Sequence, residues 1–170
     1  AAAMAELGGA DNITCHLRED RRHIKDADLF LLKETINIPL NFEMAATDEM
    51  IDIALKVKPH AVTLVPEKRE ELTTEGGLDM EAHKADLKKK VSKLKEIDCL
   101  VSMFIEANDV DIELSKEVGA DAVEFHTGHY CQSMLSAKTT KAQWDLIKPF
   151  HDAARKAKEL GLQVHFGHGL

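Results

Sequence analysis

Apolar positions along this 170-residue chain recur in two alternating rhythms. Short runs at 12–17, 40–44, 61–65, 100–105, 122–125 and 163–166 switch between apolar and polar residues with a period of two, or stay apolar throughout, and predict strands. The stretches between them, 26–35, 47–56, 78–95, 109–118 and 141–160, carry the helical period. The punctuation agrees. Thr47 is placed to cap a helix whose first turn holds Asp48 and Glu49, where the helix dipole favours acids. Asn108 or Asp109 does the same for the next helix, and Gly119 and Gly161 sit where helices should end. The leading residues read as the end of a helix stopped by Gly8 and Gly9. Pro149 should kink the last helical stretch or split it in two, because it lacks an amide hydrogen and clashes with the preceding turn.

Strands that alternate with helices of this length require parallel pairing and helical crossovers. Two architectures satisfy that: a (β/α)8 barrel of the TIM type and an open doubly wound sheet. No G-x-G-x-x-G or G-x-x-x-x-G-K-[ST] follows a strand, which weakens the second. An internal echo favours the first. Gly9-Ala10-Asp11 leads through a strand to His16, Gly119-Ala120-Asp121 leads through a strand to His126, and 58–65 is a weaker copy. Turns from helix to strand can converge on such residues without any repeat, so the echo alone leaves the choice open. The expected fold is α/β of the barrel type, with six strands in one domain spanning 1–170.

Side-chain parity separates two faces. Ile13, Cys15 and Leu17, then Leu40, Phe42 and Met44, Val62 and Leu64, and Val123 and Phe125 form an apolar face that would pack under helices. The opposite face carries Asn12, Thr14, His16 and Arg18, Asn41 and Glu43, Thr63 with Glu67 just beyond, and Glu124 with His126. That face would line the barrel. Buried charges are costly unless they satisfy one another or a ligand, so their convergence is a functional signal.

Composition narrows the classes. Apolar residues make up 44% and charged residues 31% of the chain, ordinary for a globular protein. A net charge of −8 argues against a general nucleic-acid or membrane-surface binder, though not against a local basic pocket. No apolar run approaches the roughly 18 residues of a membrane span, and the first residues carry no basic segment of a signal peptide. Cys15, Cys99 and Cys131 are odd in number and form no C-x-x-C, which reads as reduced thiols and a cytoplasmic setting.

The densest chemistry is the cluster 16–23, leaving the first strand. His16 titrates near neutrality and can move a proton, while Arg18 offers a planar fork for phosphate or carboxylate. The same cluster also reads as a solvated run of mutually paired charges. Glu43, between Phe42 and Met44, could be a base of raised pKa or half of an ion pair with Arg18 or a lysine. The long segment 66–77 ends in Gly76-Gly77 and could close over a site, with Thr73 or Thr74 donating a hydroxyl, or be a polar surface loop. His126/His129 and His165/His168 are two H-x-x-H pairs; strand-end placement and neighbouring glycines do not give the helical pair of a zinc protease, and no metal is expected. His168 lies between Gly167 and Gly169, where exposed backbone amides suit an anion.

Taken together, Thr-Cys-His-Leu-Arg-Glu-Asp-Arg-Arg-His-Ile (14–24), Asn-Phe-Glu-Met-Ala-Ala-Thr (41–47), the Val-Thr-Leu-Val-Pro-Glu-Lys-Arg segment with its Thr-Thr-Glu-Gly-Gly end (62–77), Glu-Phe-His-Thr-Gly (124–128) and Gly-His-Gly-Leu (167–170) resemble the pyridoxine 5′-phosphate synthase family over essentially the whole chain. The resemblance implies a (β/α)8 barrel that joins 1-deoxy-D-xylulose 5-phosphate and 3-amino-2-oxopropyl phosphate into pyridoxine 5′-phosphate, releasing phosphate and water. It implies no metal and no organic cofactor, and a homo-oligomer. By resemblance His16 and Glu43 accept protons, His168 donates one and Glu124 is a further shuttle; Arg18, His23 and Thr73 hold the deoxyxylulose phosphate, and Gly169 touches the amino-ketone phosphate.

Against that family the six strands correspond to the second through seventh, and the first and last are expected to lie in a longer parent chain. On that expectation the 170 residues alone have little or no synthase activity. Two rival functions remain on the sequence: a truncated barrel that binds a sugar phosphate or a partner chain without catalysis, and a metal-dependent hydrolase using the H-x-x-H pairs.

Overall fold

The computed structural model describes residues 1–67 and 76–170. Thr73 and Thr74 lie outside the described residues. The elements follow in the order α1 (Ala2–Leu7), β1 (Ile13–His16), α2 (Asp26–Thr35), β2 (Leu40–Ala45), α3 (Asp48–Val57), β3 (Ala61–Val65), α4 (Met80–Lys95), β4 (Leu100–Ile105), α5 (Asp109–Val118), β5 (Ala122–His126), α6 (Gly128–Met134), α7 (Thr140–Glu159) and β6 (Gln163–Gly167). The six strands are all parallel and lie in the order β1-β2-β3-β4-β5-β6. A doubly wound sheet reverses direction at a switch point; sequential order without reversal is barrel winding.

Local chemistry explains where the helices start and stop. Thr47 accepts a hydrogen bond from the Met50 amide at 3.3 Å to open α3, and Asn108 accepts from Asp111 at 2.9 Å to open α5. Thr139 and Asp79 cap α7 and α4 in the same way. Gly119 ends α5 with φ +93°, a conformation that costs glycine nothing. Asp121, the acid of the second Gly-Ala-Asp turn, accepts from the Val101 amide at 2.7 Å and so ties the start of β5 to β4.

Two expectations need correction. α7 runs undivided through Pro149. Pro149 and Asp145, whose carbonyl loses its intrahelical partner, are both exposed, so that carbonyl is open to solvent. The helix α6 was not anticipated; its Gly-His-Tyr-Cys start has neither a strong apolar period nor good helix formers.

The apolar face packs as its parity predicts. Phe42, Met44, Val62, Leu64, Val101, Met103, Val123 and Phe125 are fully buried against α3, α4, α5 and α7 side chains such as Ile51, Leu87, Val91, Ile112 and Ala157. Burying Phe42 and Phe125 contributes roughly 2–3 kcal/mol each relative to exposure. The concave face encloses a cavity of about 580 Å³ lined by Thr14, Asn41, Glu43, Thr63, Ser102, Glu124 and His165, among others. Three of its polar side chains bond across strands, Thr63 donating to Asn41 at 3.2 Å and Asn41 to Thr14 at 3.4 Å, while the buried Ser102 hydroxyl finds no partner among the described residues.

Candidate functional site at the carboxyl ends of the strands

His16 ends β1 and faces Glu43 in register on β2. Its Nδ1 lies 3.9 Å from a Glu43 oxygen, and its Nε2 is hydrogen-bonded at 2.6 Å to Glu67, just past β3. Burial pushes the Glu43 carboxyl above its ordinary value, and the neighbouring His16 pulls the other way without cancelling the effect. Glu67 shows the opposite balance. Burial would raise it, yet hydrogen bonds from His16 and from the Glu19 amide, with the charges of His16 and Arg18, hold it below the usual range. Arg18 is buried, with Nε 3.6 Å from Asp20. The loop that carries it is pinned by Arg21, in a left-handed conformation at φ 53°. Arg21 donates to the carbonyl of Glu19 at 3.0 Å, to Asp26 at 2.8 Å and to Glu49 of α3 at 2.5 Å. His23 is exposed in the turn before α2; among the described residues no hydrogen bond joins it to this group.

A second group forms at β4–β6. His126, at the end of β5, shares a hydrogen bond at 3.1 Å between Nδ1 and Glu106, just past β4. Its ring lies 4.9 Å from that of His168 and 5.5 Å from Phe104, and His168 is 6.2 Å from Phe104. His168 holds φ 71°, rare for a residue with a side chain. The Thr127 hydroxyl reaches the carbonyls of Gly167 at 2.8 Å and His168 at 2.9 Å and fixes that turn. Burial lowers the His168 pKa, and the neighbouring His126 lowers it further. Gly169 follows at φ 99°, with Cys131 against it. Each close imidazole contact draws on both H-x-x-H motifs, His126 from one and His168 from the other. Among the described residues no three His, Cys, Asp or Glu side chains are grouped to hold a metal ion.

Glu124 joins the two groups. Its carboxyl is pushed up to about 7, first by burial and then by the charge of Glu43. It lies against Gly167, where a Cβ would fall 1.9 Å from its Oε1, so any larger residue there must push the Glu124 carboxyl aside. Glu43 and Glu124 thus line the concave face, His16 ends β1, Arg18 and His168 follow the ends of β1 and β6, and His23 is exposed in its turn. Sequence reasoning passed over Glu106, Phe104 and Thr127. It placed Glu67 on this face without seeing its bond to His16. A larger concavity of about 850 Å³ lies between α7 and β6, lined mostly by residues such as Ile147, Phe150 and Phe166, and meets the second group only at Thr127.

The fold is that of α/β-barrel enzymes, and ionisable side chains gather on the concave face and at the carboxyl ends of its strands. The chain belongs to the family of pyridoxal phosphate biosynthesis protein PdxJ, whose model matches residues 1–170. It is 51% identical over 170 residues to a pyridoxine 5′-phosphate synthase of Xanthobacter autotrophicus, covering all of this chain and 66% of that one. It is 54% identical to the pyridoxine 5′-phosphate synthase of Aquifex aeolicus, covering 70% of it. The chain therefore spans about two thirds of the length of these curated relatives. Among solved structures, a mandelate oxidase with (S)-mandelic acid superposes with a TM-score of 0.65 at 13% identity, covering 96% of this chain and 55% of that one. A D-psicose 3-epimerase superposes with a TM-score of 0.57 at 14% identity, covering 98% of this chain and 66% of that one. At such identities the likeness establishes the barrel architecture alone.

Proposed function

We propose that these residues form the catalytic core of a pyridoxine 5′-phosphate synthase. In this reading 1-deoxy-D-xylulose 5-phosphate and 3-amino-2-oxopropyl phosphate condense to pyridoxine 5′-phosphate, and one phosphate and two waters leave. The observation that carries it is the meeting of His16 with Glu43 and Glu67 beside the buried Arg18, in a chain matched end to end by the family.

The reaction needs what the site holds. An amine and a ketone join as an imine, phosphate and water depart, and the ring closes; every stage moves protons at carbon, nitrogen or oxygen. His16 and Glu43 act as proton acceptors. A carboxyl raised by burial, as in Glu43, is a stronger base than an ordinary carboxylate. Glu124, titrating near 7, relays protons between them and the β6 end. His168, whose charged form burial and His126 disfavour, gives up its proton readily once protonated and donates it to the departing group. Arg18 clamps the phosphate of the deoxyxylulose substrate, with His23 and Thr73 completing its site, and the Gly169 amide meets the other phosphate. His23 must then turn inward on binding, since it is exposed here. The same reading makes the chain one domain of a homo-oligomer in the cytoplasm. Three free cysteines support that compartment, and among the described residues no helix is long and apolar enough to cross a membrane.

The test is to mix both substrates with the natural gene product and follow phosphate release and pyridoxine phosphate formation. Turnover that needs both substrates and is lost in His16→Asn supports the reading. A folded protein that binds the sugar phosphate but releases none overturns it in favour of a binding module.

A further inference from the structure

Glu67 receives two donors from different elements. Its Oε1 takes the His16 Nε2 contact at 2.6 Å, and its Oε2 accepts the backbone amide of Glu19 at 2.6 Å. The Glu67 side chain is 4% exposed, so little of its carboxylate is open to water. A carboxylate can only accept, so Nε2 facing it is the donor. A glutamine here would accept from the Glu19 amide with its oxygen and turn its own N–H toward the ring, which favours the other tautomer. An amide N–H at Glu19 is fixed in direction and can only donate, and an aligned ring N–H supplies the other half of the pattern.

We propose that Glu67 is a positioning residue that fixes the tautomer of His16: Nε2 carries the hydrogen toward Glu67, and Nδ1 is the basic nitrogen turned toward Glu43 and the substrate. The 3.9 Å between Nδ1 and Glu43 is too long for a direct bond and leaves room for a shared substrate proton. The catalytic atom of His16 is therefore Nδ1. The same carboxylate, through Glu19, ties the loop that carries Arg18 to the end of β3, so one side chain sets both the ring and the phosphate clamp in register. This assignment rests on His16 being the base of the proposed reaction. The principle is that of any carboxylate that holds a catalytic imidazole: it selects which nitrogen is free and keeps the ring aimed.

The experiment labels histidine with 15N in the natural gene product, assigns the His16 ring by its disappearance in His16→Asn, and reads the tautomer at a pH where the ring is neutral. Wild type should show Nε2 protonated and Nδ1 bare. Glu67→Gln should mix or reverse the two forms and lower kcat about a hundredfold, with KM for either substrate within about threefold. Nδ1 protonated in wild type overturns the proposal whether or not the variant folds. So does Glu67→Gln with an unchanged tautomer and kcat but a raised KM for the sugar phosphate, the signature of a brace for the loop alone. A tautomer that responds as described in a protein that condenses nothing keeps the role of Glu67 and defeats the synthase reading instead.

Discussion

At the β1–β3 end of the site one imidazole is held between two carboxylates, with Glu67 at 2.6 Å and Glu43 at 3.9 Å from His16. At the β4–β6 end an imidazole of the same kind, His126, meets one carboxylate, Glu106 at 3.1 Å, and otherwise rests against the rings of Phe104 and His168. The decisive difference is burial of the carboxylate, since the Glu67 side chain is 4% exposed and that of Glu106 is 51% exposed. A hydrogen-bonded pair shielded from water is directional and strong, and an exposed one is worth little. The first end is therefore built to hold a proton acceptor in fixed alignment. The second packs rings together, and His168 titrates below its ordinary value there because burial and His126 both disfavour its charged form.

The largest effect should come from Glu43→Gln, which keeps the shape and removes the raised carboxyl at the aligned end. We expect kcat to fall by about 10²–10⁴ with the fold retained, read by steady-state kinetics and circular dichroism. A loss smaller than fivefold would mean that this end does not carry the proton transfer. Next is Gly167→Ala at the other end. The new Cβ would fall 1.9 Å from Glu124 Oε1, so the carboxyl must move by more than an ångström. Displacements of that size cost on the order of a hundredfold in rate, and the variant should lose kcat while Glu43 and His16 stay in place.

Glu124 also ties stability to pH. Its carboxyl titrates at about 7 in the fold against an ordinary 4.5, so the native state binds the proton more tightly than the unfolded chain does. Ionisation then favours unfolding: stability falls as pH rises from about 4.5 to about 7 and stays lower above. Glu124→Gln removes that slope. Allowing for solvent reaching the cavity, we expect the variant to gain roughly 2 kcal/mol, or about 5 °C in Tm, relative to wild type on going from pH 5 to pH 8. A parallel pH dependence of the two melting curves would show that Glu124 is not buried as described.

Much of the first end was legible in the sequence, because period-two parity is a local rule. His16, Glu43 and Glu124 had to share the concave face once their neighbours Cys15, Phe42 and Phe125 were assigned to the core. What joins Glu67 to His16 is not local. The two are 51 residues apart, and their meeting depends on how the chain leaves β3, which no period encodes. The same holds for Glu106 and His126, 20 residues apart at the ends of adjacent strands. Pro149 left two outcomes open in the sequence, a kink or a split, and the helix is not split; the lost bond falls at an exposed turn, where solvent can reach the freed carbonyl. α6 escaped because tertiary contacts, such as those of Tyr130 with Phe150, stabilise a stretch whose own propensity is poor.

The smallest effect, and the sharpest test of the contrast, is Glu106→Gln. Glu106 Oε1 accepts from the Gly77 amide at 3.0 Å as well as facing His126 Nδ1 at 3.1 Å, so on paper it mirrors Glu67 as a carboxylate between a backbone amide and an imidazole. Both contacts, however, use the same oxygen. A glutamine can present its carbonyl there and keep the two bonds, with its amide group turned to solvent. Exposure adds to this tolerance, because water replaces whatever is lost. We expect Glu106→Gln to change kcat by less than about threefold and stability by less than about 1 kcal/mol, measured beside Glu67→Gln under one set of conditions. Equal losses from the two substitutions would mean that the imidazoles at both ends are held for the same purpose, and that oxygen count and burial do not distinguish them.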